Sequence, residues 1–481
     1  MALAMDRQGR TGDRIIRHPR LREVLPELVK VPRLRRPARH FSPPFILFYS
    51  FGFLILVGGA LLFLPIANKL GDGDFTPLDV ALFTSTSAVT VTGLTVENTA
   101  TYWSSFGHAV IFTLMLVGGL GFTSLATFFL IIIGQRITLP ERMLMRDTMG
   151  VDRMGGLVAV LRNIVLIVLA IYVIGTAVIW WRIHDTFSAG EAVWQSAFLS
   201  VSSFNNAGFS ILPNASSLEN FFSNTPLIAF IAISLTLGAI SWTVLVDVFR
   251  QRRFSRLTLD TKLVLTTSLF LWTLGAVVFF IAEYDNGRMA DFSVFQKGAQ
   301  SIFQSVSGRT AGLSTLDFSE ATDLTILFYP LLMFVGGAAG SVAGGIKVAT
   351  LAVIIAAVIS SVKGRTQAEA FGREIPHFQV HRAVTVAVLG MALVFTLSMA
   401  LTFTERAKDI SFLHLFFDTV SAFGTTGLST GVPEQLSIAG RVLFMIAMFV
   451  GRLGPLTMAL ALSPREESTA YRFIQERVKL G

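Results

Sequence analysis

Residues 45–64, 164–181, 263–281 and 383–402 run without a single charged side chain. Each is long enough for a helix to cross a hydrocarbon core of about 30 Å, which takes roughly 20 residues. The rest of the composition agrees, with 52% hydrophobic residues, only 15% charged and a mean hydropathy of +0.64 over 481 residues. A soluble chain of that length needs more charge to cover its surface. The sequence therefore reads as an all-α, polytopic membrane protein. Forty-two Phe suit lipid-facing helices, and the absence of Cys excludes disulfides, thiolate metal sites and a thiol nucleophile.

The net charge of +8 could point to nucleic acid, but its placement argues otherwise. Residues 1–40 carry 11 Lys/Arg against four Asp/Glu, with prolines at 19, 26 and 32 that interrupt any long helix. No leader is expected, since the first apolar run starts near Pro43. Such a basic tail suits the anionic face of a bilayer or a docked partner, and the two are compatible. Twenty-nine Lys/Arg fall in the two tails and in the connections 135–162, 250–262 and 361–382. Only five, Lys69, Arg288, Lys297, Arg406 and Lys408, fall in the other connections. The positive-inside bias then puts both termini in the cytoplasm.

A short phrase recurs in these greasy surroundings. TGLT occupies 92–95, AGFS 207–210, TAGLST 310–315 and TTGLST 425–430. Its glycines, Gly93, Gly208, Gly312 and Gly427, are 115, 104 and 115 residues apart, too far for a solenoid and right for fused copies of a larger unit. Each copy reads as an apolar span, a short amphiphilic stretch, the glycine phrase and a second span. The first spans lie at about 44–66, 158–181, 262–282 and 382–403; the second at about 104–134, 225–248, 326–358 and 438–462. The short stretches, 76–89, 190–204, 294–307 and 412–423, are candidates for re-entrant helices. Helix starts are expected near Thr76, Ser293 and Ser411. Because each unit crosses twice, all share one orientation and are parallel repeats about the membrane normal. The expected fold is four parallel span–pore-loop–span repeats around a central pore, with eight transmembrane helices and four re-entrant pore helices. The expected boundaries are 1–43 (basic tail), 44–134, 158–249, 262–361 and 380–463 (repeats) and 464–481 (C-terminal tail).

Loops converging on one axis can replace the hydration shell of a monovalent cation with backbone carbonyls. Glycine supplies the positive φ that inward-pointing carbonyls require. The candidate filter is Val91, Thr92 and Gly93; Asn206, Ala207 and Gly208; Thr310, Ala311 and Gly312; and Thr425, Thr426 and Gly427. The partially negative C-terminus of each short helix would favour a cation at the axis. The competing reading is that small residues merely mark helix packing. Four phrases at one position of a repeated unit argue against it.

The loops SAVTVTGL, SFNNAGFS, SGRTAGLST and SAFGTTGLSTG resemble those of the TrkH/KtrB/HKT superfamily of cation transporters, over about residues 44–481. A single basic tail before the first repeat and the ending YRFIQERVKLG resemble its KtrB branch. That resemblance implies potassium uptake across a bacterial plasma (inner) membrane by a homodimer with one pore per subunit. It further implies a cytoplasmic KtrA-type regulatory ring that binds ATP or ADP, with no cofactor in this chain. A serine in place of the first filter glycine accompanies sodium preference in some plant members; Gly93 stands here. A sodium-conducting or cation-coupled transporter is the alternative.

The stretch GGAAGSVAGG, 336–345, interrupts one second span and precedes Lys347. Each glycine weakens a helix by about 1 kcal/mol relative to alanine. In the resembling family this is a flexible intramembrane gate, here Gly336, Gly337, Gly340, Gly344 and Gly345; a packing seam is the other reading. Gly340 to Gly345 has the spacing of a nucleotide loop, but Ile346 stands where its lysine belongs. Arg452 lies within a span, where a charge is costly. The resemblance makes it part of the ion barrier; alternatively it bonds loop carbonyls. Arg309 is expected to tie its own loop, and Asp418 to hold neighbouring backbone. His377 and His381 lack the further ligand that a metal site needs. No constellation of acid, His and Ser supports an intramembrane enzyme, and a passive scaffold would not need four matched loops.

Overall fold

The computed structural model describes residues 16–17, 43–70, 73–120, 157–212, 217–221, 223–454 and 471–472. Its helices are α1 (Pro43–Phe63), α2 (Leu78–Thr90), α3 (Ser105–Leu120), α4 (Leu157–Ile183), α5 (Ala189–Phe204), α6 (Thr225–Ala239), α7 (Trp242–Gln251) and α8 (Leu259–Ala282). They continue as α9 (Val294–Thr310), α10 (Asp323–Met333), α11 (Val348–Val362), α12 (His377–Thr404), α13 (Phe412–Gly424) and α14 (Ile438–Leu453). A hairpin of β1 (Ala368–Ala370) and β2 (Arg373–Ile375) precedes α12, turning through Phe371 and Gly372, both at positive φ.

Helices α4, α8 and α12 are each long and apolar enough to cross a membrane. Their outward residues stay uncovered: Val173 is 70% exposed, Leu269 64% and Phe395 58%. Large apolar side chains left open along helices of this length suit a lipid solvent.

Helix packing closes on itself. The short helices α2, α5, α9 and α13 pack on the long helices α1, α4, α8 and α12 that precede them. Each is also packed by the apolar helix of a neighbouring unit: α3 on α5, α6 on α9, α10 on α13 and, closing the circle, α14 on α2. A shared device seats three of the short helices. The hydroxyls of Ser85, Ser200 and Ser305 donate to the carbonyls of Ile55, Tyr172 and Trp272, at 2.8, 3.0 and 2.7 Å. Three residues further along each long helix stands a glycine, Gly58, Gly175 or Gly275, whose missing Cβ makes room for that same hydroxyl. Close approach through small residues, with a hydroxyl bond added, is how helices associate where lipid removes the hydrophobic drive.

The expected short stretches match α2, α5, α9 and α13 to within a few residues, but two expectations are corrected. Helix α2 begins at Leu78, two residues past Thr76, but Pro77 stands before it and Thr76 does not cap it. The Thr76 hydroxyl is taken instead by the Asn68 amide at 2.9 Å. Ser293 and Ser411 do cap α9 and α13, Ser293 through a reciprocal capping box with Gln296. More consequentially, the stretch 225–248 is not one straight helix: α6 and α7 meet at 99°. The break lies at Ile240 and Ser241, where Ser241 caps α7. A broken second span is therefore not peculiar to the unit that carries 336–345. Residues 121–134 and 455–462 of the expected 104–134 and 438–462 spans lie outside the described residues.

Glu405 ties the end of α12 to the start of α14. Its carboxylate accepts from the Ser437 N–H at 3.1 Å and from the Ser437 hydroxyl, and pairs with Lys408 at 2.8 Å. Burial works to raise its pKa, but the Lys408 and Ser437 donors outweigh that and hold it below the ordinary 4.5. A folded-state pKa below the unfolded one stabilises at pH above about 4.5, and that stability is lost as pH falls through the lower folded value. We expect Glu405→Gln to cost about 2 kcal/mol near pH 7, the range of a charge-assisted hydrogen bond. In detergent melts the gap to the native protein should shrink below about pH 4.5; a gap independent of pH would refute the assignment.

Candidate functional site

The glycine phrases begin where the short helices end, and three of them end alike. The N–H groups of Val91 and Thr92 turn back to the carbonyls of Ala88 and Ser87; Asn206 and Ala207 do so to Ser203 and Ser202, and Thr425 and Thr426 to Ala422 and Ser421. This double turn needs a left-handed residue, a position glycine normally fills. Here it is filled by Val91 (φ 56°), Asn206 (φ 54°) and Thr425 (φ 49°). For β-branched Val and Thr this conformation costs about 1–3 kcal/mol and persists only where surroundings enforce it. The third loop differs. It has one residue fewer between Ser307 and Gly312 than the others have between Ser87, Ser202 or Ser421 and their glycines, so α9 continues through Thr310 and no left-handed residue is used.

Two residues on, each chain reaches its glycine, at φ 89° (Gly93), 74° (Gly208), 68° (Gly312) and 91° (Gly427). The glycines meet in cyclic order. A Cβ on Gly93 would lie 2.5 Å from the Ala207 carbonyl oxygen, and one on Gly208 2.8 Å from that of Ala311. A Cβ on Gly312 would strike the Thr426 carbonyl oxygen, and one on Gly427 that of Thr92, which closes the circle. The carbonyls of Thr92, Ala207, Ala311 and Thr426 thus stand in one ring, each against the bare face of a neighbouring glycine. Serine hydroxyls brace it: Ser87 and Ser421 accept from the Gly93 and Gly427 N–H groups at 3.0 and 3.1 Å. Ser202 donates to the Phe209 carbonyl at 2.6 Å, and Ser307 donates to that of Leu313. Asp418 accepts from the Thr430 hydroxyl at 2.7 Å and from its N–H, pinning the fourth loop.

The glycine-rich segment packs against this ring. Between α10 and α11 it runs as irregular backbone, and several of its polar groups find partners on neighbouring elements. Ala338 and Val342 donate to Ala239 and Gly238 at 3.0 and 3.3 Å, the carbonyls left open where α6 breaks. The two interruptions are therefore partners, each supplying what the other lost. Gly345 donates to Gly451 at 3.1 Å, Gly336 to Ile346 at 2.8 Å, and Ile346 to Phe334 at 3.2 Å. Lys347 Nζ donates to Ala343 at 2.5 Å, while Arg452 donates to Val342 and, at 2.6 Å, to Gly118. At Gly344 an added Cβ would strike the Thr425 hydroxyl, which has no hydrogen-bond partner among the described residues.

The sequence-predicted residues are thus gathered in two adjoining sets. Val91 to Gly93, Asn206 to Gly208, Thr310 to Gly312 and Thr425 to Gly427 form the converging loops, and Gly336, Gly337, Gly340, Gly344, Gly345, Lys347 and Arg452 lie in or on the segment beside them. Arg452 bonds one loop carbonyl, that of Val342, in line with the second of its two expected roles, and one carbonyl of α3, that of Gly118. Arg309 is a correction: its guanidinium reaches the Val335 and Gly336 carbonyls at 3.3 and 2.7 Å rather than its own loop. The bracing serines were not singled out from sequence, although each stands five or six residues before a phrase glycine. His377 and His381 face each other with ring centroids 6.4 Å apart, and no cluster of three metal-ligating side chains occurs among the described residues.

A closed circle of helices, apolar outside and lined at its centre by converging backbone, defines a multi-pass membrane transport protein. The family described as TrkH, cation transport protein, matches residues 68–471, and this chain belongs to it. The chain is similar to the Ktr system potassium uptake protein B of Bacillus subtilis, with 37% identity over 431 residues covering 89% of this chain and 94% of that one. It is also similar to the potassium/sodium uptake protein NtpJ of Enterococcus hirae, with 32% identity over 451 residues, 93% of this chain and 99% of that one. The crystal structure of the potassium transporter TrkH from Vibrio parahaemolyticus shares the fold: the TM-score is 0.69 over 92% of this chain and 88% of that one, at 18% identity.

Two positive-φ glycines separate conformational cost from steric cost. Gly431 (φ 85°) has open space around it, whereas Gly427 (φ 91°) faces the Thr92 carbonyl. Alanine at Gly431 should cost about 1 kcal/mol, the penalty of the left-handed region alone. Alanine at Gly427 should cost several kcal/mol more, since a backbone carbonyl must move. Thermal unfolding of both variants in detergent measures the difference; equal losses would mean that the ring is not close-packed.

Proposed function

We propose that this chain is the ion-translocating subunit of a Ktr-type potassium uptake system. The carrying observation is the cyclic placement of the Thr92, Ala207, Ala311 and Thr426 carbonyls, each opposed by a neighbouring glycine. Four equivalent carbonyls around an axis can replace the water shell of a desolvated monovalent cation. On this reading the chain comprises four parallel repeats, 44–134, 158–249, 262–361 and 380–463, in which α2, α5, α9 and α13 are pore helices. Their C-termini aim partial negative charge at the cation. The termini are cytoplasmic and the loops are entered from outside, as the Lys/Arg distribution favours.

The segment 336–345 is the gate. Its hydrogen bonds to broken α6, to Arg452 and to Gly451 hold it against the fourth loop, and Arg452 and Lys347 set two positive charges in the path of a cation leaving the filter. Opening exchanges these bonds for others or for water, with Gly337 to Gly345 supplying the freedom to move. The relative in Bacillus subtilis, named as part of a Ktr system, supports a multicomponent assembly. We read it as a homodimer docked on a cytoplasmic KtrA-type ring that carries the ATP or ADP site. A sodium-conducting or cation-coupled transporter is the second reading, kept because the Enterococcus hirae relative is named for both ions.

Flux of potassium, rubidium and sodium into liposomes holding the purified chain tests the central claim. Entry of potassium and rubidium should exceed that of sodium by at least tenfold, and Gly312→Ser, whose Cβ would strike the Thr426 carbonyl, should abolish the preference. Equal sodium entry in the native protein would favour the second reading. A Gly312→Ser variant with native selectivity would remove the ring from the filter.

A further inference from the structure

Arg309 stands where the filter-and-gate reading leaves a charge unassigned. It is the last residue but one of α9, followed directly by Thr310, Ala311 and Gly312 of the third loop. Its side chain is 1% exposed, and no carboxylate contacts it among the described residues. What answers the charge is dipolar. Nη2 donates to Gly336 at 2.7 Å and Nε to Val335 at 3.3 Å, both carbonyls lying just past the C-terminal end of α10. The partial negative charge of a helix C-terminus favours a cation there. The Trp272 ring adds its face, with the guanidinium 5.3 Å from the centroid. Nη1 has no partner among the described residues.

These contacts are unequal to those that hold the rest of the segment. Withdrawing residues 335–336 would strip a buried cation of both its hydrogen-bond acceptors, and an uncompensated buried charge is among the most costly states a protein can adopt. Withdrawing residues 338–343 breaks bonds from Ala338, Val342, Lys347 and Arg452 that involve backbone or a side chain able to find water in an opened cavity. The segment is therefore anchored at one end and latched along the remainder.

We propose that Arg309 is a positioning residue that locks the third filter loop to the root of the gate, so that the gate swings from Gly337 onward while its root and the filter stay fixed to each other. The inference deepens the filter-and-gate reading and rests on it. One guanidinium one residue before the filter then sets both the rest position of the gate and the geometry of the Thr310 and Ala311 carbonyls. Arg452, whose one hydrogen bond to the segment among the described residues goes to Val342, serves the latch.

The two arginines are separated by measuring leak and selectivity together. Potassium and sodium fluxes into liposomes are compared for the native chain, Arg309→Gln, Arg309→Lys and Arg452→Gln, with unfolding midpoints taken in parallel. Because the chain has no Cys, a Ser341→Cys background adds a thiol-labelling rate that reports segment displacement independently of ion flux. Arg452→Gln should raise leak and labelling severalfold with the potassium-to-sodium ratio retained. Arg309→Gln should raise both and also reduce that ratio at least tenfold, with Arg309→Lys, which keeps the charge without the fork, intermediate. Native selectivity in Arg309→Gln overturns the proposal, as does unchanged labelling. If Arg309→Gln fails to fold, Arg309→Lys decides: a native ratio there, whatever its melting point, reduces the residue to a structural role. Absence of potassium preference in the native chain would instead strike the filter reading, and the labelling comparison would still judge the anchor.

Discussion

Everything in this molecule depends on four backbone segments approaching closer than side chains allow. At Gly93, Gly208, Gly312 and Gly427 a bare α-carbon faces a neighbouring carbonyl, and no other residue both tolerates the φ and leaves the space. Such a ring cannot be assembled piecemeal, because displacing one loop uncovers the carbonyls of its neighbours. The surrounding helices are arranged to deliver all four loops at one level. Serine–carbonyl bonds fix three of the short helices on their long helices, and the closing contact of α14 on α2 makes the first loop depend on the last. The Asp79 carboxylate and Arg441 guanidinium, 2.5 Å apart, tie these same two helices. Left-handed Val91, Asn206 and Thr425 show where this closure acts on the backbone, since isolated turns would not hold a valine or threonine there.

A second constraint follows from putting irregular backbone at membrane depth. Every amide and carbonyl freed from a helix must find a partner, as each buried unmade bond costs about 1–3 kcal/mol. The chain solves this by placing two interruptions side by side. The carbonyls of Gly238 and Ala239, released at the bend between α6 and α7, accept from Val342 and Ala338. Carbonyls with no amide opposite them, at Val335, Gly336, Val342 and Ala343, are met by Arg309, Arg452 and Lys347. Three cations in the interior of a membrane protein are thus a consequence of the unwound backbone, and the same oxygen atoms that need donors make those charges tolerable.

What could be read from the sequence follows from the range of the forces involved. The long helices, the short helices and the glycine phrases were legible because hydropathy, span length and the φ demands of glycine act within a few residues. The bend at Ile240 was not, because no Pro or glycine cluster marks it; it is fixed by amides about 100 residues away. Thr76 lost its expected capping role to Asn68, a competitor that only the folded turn brings near. Sequence ties Arg309 to its own loop because it offers only neighbours, whereas its carbonyl partners lie 26 and 27 residues on. The bracing serines left a signal in their offset of five or six residues from the phrase glycines, but serine is too common in such stretches for spacing alone to single it out.

The third unit departs from the others twice, and the departures are connected. It carries the glycine-rich segment, and its loop is one residue shorter, so that α9 runs on through Thr310 without a left-handed turn. In the other loops the residue three before the glycine, Thr90, Asn205 or Gly424, is uncharged and is followed by a strained residue that redirects the chain. In the third it is Arg309, still within regular helix. Helical geometry gives that side chain one well-defined path across to α10, and the acceptors it finds are those that the interruption after Met333 leaves open. A left-handed residue at 310 would loosen the end of α9 at the point where a buried charge has to be held. The shorter turn is thus the local condition that lets the unit with the glycine-rich segment hold a buried arginine against that segment's first residues.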